Sequence, residues 1–512
     1  MTKMPLTNTL MAGVALLALG LAHSAATAAG LAVTGPESVA DWNKAGNAFI
    51  TAGKALQDNT GRARNVIIFV GDGMGISTQT AARILEGQLK GKTGEENRLS
   101  FETLPYSALS KTYSWDQQTS DSAPTATALF TGFKAREGML SVDHTTARNE
   151  CDGSVVAARS LPTILELAAA NGRATGVVST ARLTHATPGA TYAHTPMRDW
   201  EADSNILVPG CSTKDIARQL IEVSPIVRAS LKVAMGGGRT YFLPKTETDP
   251  EYPSTKGRRN DGRNLTSEWV ANRGAGAAYV WNKTQFDAID AATTGPVLGL
   301  FEPSHMQYEA DRASDPAGEP SLTEMTAKSI RLLQNSPKGY FLHVEAGRID
   351  HAHHASNASR ALQDTIELSN AVRTAMAMTS ETDTLIIVTA DHSHTFTIAG
   401  YPNRGNPILG LVKGVPTIDG NPTKLTLDKN GLPFTTLGYA NGPGYRGGAR
   451  PDLSSVDTTA LNFLQEATVP LSSETHGGED VGVWARGPKA YLVRGSMEQN
   501  WIFHVMREAF GF

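Results

Sequence analysis

Between Asp350 and His354 the chain reads Asp-His-Ala-His-His, four residues of metal-ligand type within five positions. If this stretch turns helically, Asp350 and His354 share one face at i, i+4, a chelating spacing. Similar chemistry recurs in Thr389-Ala-Asp391-His392-Ser-His394 and in Glu474-Thr-His476-Gly-Gly-Glu-Asp480. Mixed carboxylate and imidazole donors suit a divalent cation, zinc above all. Asp72 lies inside Gly71-Asp72-Gly73-Met-Gly75; the glycines allow backbone to crowd close, although Asp-Gly is also an ordinary turn pair. Asp121-Ser122-Ala-Pro-Thr-Ala-Thr-Ala reads as the mouth of a helix. A serine there sits among backbone N–H groups without intrahelical partners, at the positive end of the helix dipole. That favours an oxygen nucleophile that must also hold an anion, but most serines at helix starts are only caps. His185 and Thr187, two residues apart, could point one way at a strand end; a lone histidine of this kind is also commonly structural.

These residues need a scaffold that brings distant loops together. Asn65–Val70, Thr175–Thr180, Leu231–Met235, Val297–Phe301, Tyr340–Val344 and Thr384–Val388 are short apolar runs of strand length, the mark of strands buried on both faces. Ser107–Lys111 and Val481–Ala485 read as further strands. Helical patterns are predicted at 38–56, 76–90, 161–171, 214–222, 321–335, 361–378 and 500–510. Ligand-type residues follow the strands, where open α/β sheets bind ligands. The expected fold is α/β, a doubly wound central sheet flanked by helices on both faces. Residues 29–512 form a single domain in this reading, with loop-rich insertions at about 244–320 and about 400–474.

Composition is compatible. Of 512 residues, 40% are hydrophobic and 19% charged, enough for a sizeable core. A net charge of −4 implies no bulk attraction to nucleic acid or an anionic membrane. An anionic substrate must therefore be drawn by a local positive centre. Residues 1–28 read as a cleavable signal peptide: Lys3, an apolar core from Leu10 to Leu21, and Ala26-Thr27-Ala28 as the cleavage pattern. That core is too short to span a bilayer and no anchor-like segment follows, so a periplasmic or secreted protein is expected. There, the isolated pair Cys151 and Cys211 reads as one disulfide, with two buried thiols as the alternative.

The motifs, taken in order, resemble the alkaline phosphatase family over nearly the whole chain after the leader. The resemblance rests on Val70-Gly-Asp72-Gly-Met-Gly, Asp121-Ser122-Ala-Pro-Thr-Ala-Thr, His185-Ala-Thr187-Pro, Tyr192-Ala-His-Thr with Arg198, Glu345-Ala-Gly-Arg-Ile-Asp350-His-Ala-His-His354, Thr389-Ala-Asp391-His392-Ser-His394 and Glu474-Thr-His476. His185, Gly442-Pro-Gly-Tyr445 and Met235-Gly-Gly-Gly-Arg239 look closer to the animal-type branch. The resemblance implies one zinc on Asp350, His354 and His476, and a second on Asp72, Asp391 and His392, completed by Ser122. It implies a magnesium on Asp72, Thr187 and Glu345, with His185 behind it. Arg198 would grip phosphate; His394 and Asp121 would support the ligands. A calcium on Glu251, the Phe301 carbonyl, Glu302 and Glu319 matches the animal-type branch, as does a Cys151–Cys211 bond. A homodimer is implied too. One departure is Ser472-Ser473, where the branch tends to be acidic; no ligand is lost.

The activity implied is hydrolysis of phosphate monoesters through a phosphoserine on Ser122. Serine is a weak nucleophile near neutrality, and two metals about 4 Å apart suit an in-line displacement. The same sheet and metal pair could serve a diesterase or a sulfate-ester hydrolase. The serine, the third metal set and Arg198 favour monoesters. An exported phosphate-binding protein without turnover would lack a ligand or the nucleophile, and none is missing.

Overall fold

The computed structural model describes residues 38–414 and 424–512. The leader read at residues 1–28 lies outside them. The strands are β1 (Asn65–Gly71), β2 (Tyr106–Lys111), β3 (Ala174–Arg182), β4 (Leu231–Gly237), β5 (Ala278–Val280), β6 (Val297–Leu300), β7 (Tyr340–Ala346), β8 (Thr384–Ala390), β9 (Ser393–His394), β10 (Phe396–Ile398), β11 (Leu437–Gly442), β12 (Ala467–Pro470), β13 (His476–Gly477), β14 (Val481–Arg486) and β15 (Gly495–Glu498).

Ten of them form one sheet in the order β15-β2-β14-β8-β1-β7-β3-β4-β6-β5. β14 pairs antiparallel with both neighbours and every other pairing in that sheet is parallel, so β14 alone runs against the rest. β1 is central and fully buried, as its unbroken apolar run requires. Its alternate side chains feed two separate cores. Val66, Ile68 and Val70 pack on the side of the Ser122–Thr131 and Trp501–Phe510 helices. Ile67 and Phe69 pack on the other, against the Ile76–Leu89, Leu322–Leu333 and Ala358–Met378 helices. Helices thus cover both faces, and the α/β expectation holds.

The register sets up the site. Gly71 of β1 lies opposite both Ala346 of β7 and Ala390 of β8. Three parallel strands therefore end level, and the residues that follow them emerge side by side. The 244–320 stretch is more regular than its Pro/Gly/Asp content suggests: it contains the helix Leu265–Asn272, and β5 and β6 extend the sheet at its edge. The 400–474 stretch contributes β11 and β12, which form a small separate sheet with β10; residues 415–423 within it lie outside those described. The helix expected at 161–171 begins only at Ile164. Thr163 caps it, accepting from Glu166 N while the Glu166 carboxylate accepts from Thr163 N. Cys151 and Cys211 are joined as a disulfide.

Candidate active site

Ser122 is the first residue of its helix, and Asp121 is the cap, its Oδ1 accepting from Ala123 N at 3.3 Å. Only 2% of Ser122 is exposed. Its Oγ lies 3.0 Å from His392 Nε2 and 3.4 Å from Asp72 Oδ1. His392 Nε2 is also 3.3 Å from Asp72 Oδ1 and 3.2 Å from Asp391 Oδ2. Asp72 follows β1, and Asp391 and His392 follow β8, so the level strand ends place them together. The His392 Nδ1 hydrogen faces Ser393 O at 3.3 Å, which turns the Nε2 lone pair toward the carboxylates and the hydroxyl. Asp391 is steadied by Gly73 N at 3.0 Å and by its neighbour's N–H at 2.9 Å on Oδ1, and by Thr125 Oγ1 at 3.2 Å on Oδ2. The Gly-rich loop is explained by the same crowding. Gly73 has φ +67°, and a Cβ there would collide with the His394 ring.

A second donor group stands beside the first. Asp350 and His354 fall on the helix Arg348–His354, so the i, i+4 spacing does put them on one face, Asp350 Oδ1 to His354 Nε2 3.3 Å. His476 Nε2 is 3.3 Å from Asp350 Oδ1 and 3.2 Å from His354 Nε2. Both rings donate from Nδ1 to backbone carbonyls, His354 to Glu474 O at 2.5 Å and His476 to Ser120 O at 2.7 Å. Their Nε2 atoms therefore face each other and Asp350 Oδ1. His394 Nε2 contacts Asp350 Oδ1 at 2.9 Å and its Nδ1 contacts Glu474 Oε2 at 2.6 Å. Burial pulls the His394 imidazole down, but these two bonds outweigh it and push it up to about 9.

The third group is marked by atoms without partners. Asp72 Oδ2, Thr187 Oγ1, Glu345 Oε1 and His185 Nδ1 are all buried and unbonded. Asp72, His185 and Glu345 lie close enough to share one ion. Thr187 is on the helical turn Ala186–Gly189, which His185 precedes, rather than on a strand end. Burial lifts Glu345 to about 8, the Asp391 charge adding to it against the Ser179 bond. Burial, then Asp391, Asp350 and Glu345, drive Asp72 well above the usual carboxylate range. Buried carboxylates crowded like this call for cations.

These observations test the fit to metal ions. Three tetrahedral donors at zinc–nitrogen distances stand ~3.4 Å apart. Asp350, His354 and His476 present edges of 3.2 to 3.3 Å, and the His392 set 3.0 to 3.4 Å. The unbonded oxygen-rich group fits a harder ion such as magnesium. All three donor sets fit.

Arg198 is paired with Asp121 and has Nη2 3.0 Å from His185 Nε2. Asp121 Oδ2 also accepts from Gly138 N at 3.2 Å. A permanently charged guanidinium is thus oriented by the residue that precedes the serine.

At the calcium-type residues the outcome is mixed. Glu302 Oε1 accepts from Gln307 Nε2 at 2.8 Å, and Glu319 Oε1 from Gln307 N at 3.0 Å, leaving Glu319 Oε2 buried and unbonded. Phe301 is buried next to them. Glu251 is already ion-paired to Arg239 at 2.9 Å. Asp315, which no sequence motif marks, joins them, its two oxygens buried without partners. Burial lifts Glu302 to about 8, the Gln307 bond opposing it and the nearby carboxylates of Glu251 and Asp315 adding to it. The only sign of Asp315 in the sequence is a carboxylate four residues before Glu319. His305 is unmarked as well. Its ring packs at a 56° tilt against His351, centroids 4.0 Å apart, beside His185, and nothing in its loop sequence announces it.

Comparison with known proteins gives the family and the fold. The family described as "Alkaline phosphatase" matches residues 63–512. The tissue-nonspecific alkaline phosphatase isozyme of Gallus gallus is 47% identical over 462 residues, 88% of this chain and 85% of that protein. The alkaline phosphatase of Gadus morhua is 44% identical, covering 91% and 96%. Among solved structures, the Thermus thermophilus alkaline phosphatase aligns with a TM-score of 0.61 at 24% identity, over 90% of this chain and 94% of that one. The enzyme from the Antarctic bacterium TAB5 aligns with 0.60 at 22%, over 89% and 99%.

Proposed function

The chain belongs to the alkaline phosphatase family, metal-dependent enzymes that hydrolyse phosphate monoesters, and we propose that it does so through a phosphoserine on Ser122. The observation that carries this reading is the single hydroxyl at a helix mouth, 3.0 Å from His392 and 3.4 Å from Asp72.

Asp350, His354 and His476 would hold one zinc. Asp72, Asp391, His392 and Ser122 would hold the second, and Asp72, Thr187 and Glu345, with His185 behind them, a magnesium. When bound, these ions supply Lewis acidity to the attacking and departing oxygens and neutralise the buried carboxylates. Arg198 spans two nonbridging phosphate oxygens as a planar fork, which a lysine could not do. The helix N-terminus adds its dipole to the same anion. Ser122 Oγ gives up its proton to solvent and bonds to phosphorus, and the ester P–O bond breaks to release the alcohol. Water then splits the phosphoserine, returning a hydrogen to Ser122 Oγ and releasing inorganic phosphate.

Calcium would sit on Glu302, Glu319 and the Phe301 carbonyl, with Asp315 replacing much of what Glu251 gives to Arg239. Export to the periplasm or outside the cell follows from the leader. Among the described residues no helix is long and apolar enough to cross a membrane. A homodimer is supported by the helix Val39–Ala55, which buries none of its residues and leaves Val39, Trp42, Phe49 and Ile50 exposed. A second copy of the chain would cover that stripe.

The test is Ser122→Ala, assayed with p-nitrophenyl phosphate. Expected are retained zinc and magnesium and loss of turnover by at least about a thousandfold. Wild-type turnover would refute the nucleophile.

A further inference from the structure

Glu474 is 1% exposed and lies two residues before His476. Its carboxylate reaches Asp350 through His394, its peptide group holds His354, and its chain leads directly into His476. The carboxylate Oε2 accepts from His394 Nδ1 at 2.6 Å, and His394 passes the contact on, Nε2 to Asp350 Oδ1 at 2.9 Å. The Oε1 accepts from Thr395 N at 2.7 Å and Thr395 Oγ1 at 2.6 Å, which fixes the carboxylate's rotation. The Glu474 carbonyl takes the His354 Nδ1 hydrogen at 2.5 Å, and Glu474 N donates to His354 O at 2.9 Å. One residue therefore sets the tautomer of His354 and, through His394, the orientation of Asp350.

The chain beyond Glu474 continues the arrangement. His476 enters β13, which pairs antiparallel with β9 so that His476 lies opposite His394. Two residues per strand make a ribbon too short to hold itself. The Glu474 bonds to His394 and Thr395 tie its entrance to the neighbouring loop. Gly442, at φ +129°, leaves the space; a Cβ there would stand 2.9 Å from Glu474 Cβ.

We propose that Glu474 is a positioning residue that clamps Asp350, His354 and His476 in ligating geometry, so that its removal loosens one zinc without touching the substrate. Partners behind metal ligands typically govern affinity by 10–100-fold. This rests on the zinc reading given above.

The test compares wild type, Glu474→Ala and Glu474→Gln, each loaded with zinc and magnesium. Zinc transfer to a coloured chelator is timed, kcat and KM are measured, and melting is followed with and without metal. Expected for Glu474→Ala is zinc release about 10–100-fold faster, with kcat lowered more than KM is raised and metal-stripped melting like that of stripped wild type. Glu474→Gln, nearly isosteric, can still accept from Thr395 but turns an amide toward His394, so it should fall between the two. Wild-type zinc release in both variants would overturn the clamp. So would equal loss of melting temperature in stripped and loaded Glu474→Ala, which is the mark of a structural role alone. A wild type that itself retains no zinc would fail differently, overturning the metal reading on which the clamp rests.

Discussion

The Nε2 atoms of His354 and His476 stand 3.2 Å apart, while both Nδ1 hydrogens are committed to backbone carbonyls. Each Nε2 also faces Asp350 Oδ1 at 3.3 Å, so two ring nitrogens and one carboxylate oxygen converge on a single point. A divalent cation held there would satisfy all three donors together.

Metal removal should consequently cost stability as well as activity. A chelator is expected to abolish turnover and to lower the melting temperature, and zinc with magnesium should restore both. Binding to the native state alone adds about 4 kcal/mol at a thousandfold excess over Kd. Calorimetry with and without chelator checks this, and unchanged melting would count against preformed sites.

Arg198 should matter for phosphate rather than for folding. It is held by Asp121 and His185 next to Ser122. Charge-assisted hydrogen bonds contribute about 1.5–3 kcal/mol. Arg198→Ala should weaken inhibition by inorganic phosphate by about 10–150-fold, with melting little changed. Arg198→Lys should recover only part of it. Inhibition constants measured beside melting curves decide the matter.

Away from the metals, His194 gives a pH signature. Its Nδ1 faces Ser141 O at 2.9 Å and its Nε2 faces Glu166 Oε1 at 3.1 Å, so both nitrogens donate when the ring is charged. Burial opposes that charge, but Glu166 prevails and the imidazole titrates above its ordinary value. The folded state thus binds the proton more tightly than the unfolded chain. The stabilisation is complete below about pH 6.5 and is lost as pH rises through the folded value. Glu166→Gln should destabilise by about 1 kcal/mol at pH 6 and by clearly less at pH 9. Denaturant melts at the two pH values check this, and equal losses would argue against a charged pair.

How much of this was legible beforehand depends on locality. The central strands β1, β7 and β8 could be read because strands buried on both faces are unbroken apolar runs. Asp72, Glu345, Asp391 and His392 then followed as residues at or just beyond strand ends. Asp350 and His354 could be placed from helical spacing alone. What was hidden depends on register between distant segments. Nothing local says that His476 pairs across a two-residue ribbon with His394, or that the Glu474 carbonyl takes the His354 hydrogen. His305 and Asp315 sit in irregular loops, where spacing carries no directional information. The edge strand β5 is three residues long, too short to leave a pattern amid glycine and proline.

The central claim is that donors from separate loops converge on one serine hydroxyl, which carries phosphate during turnover. The direct measurement is to quench the working enzyme in acid during hydrolysis of a ³²P-labelled monoester and map the labelled peptide. Label is expected on Ser122 and absent from Ser122→Ala. Label on another residue, or full turnover with no label on the protein at any quench time, would contradict it.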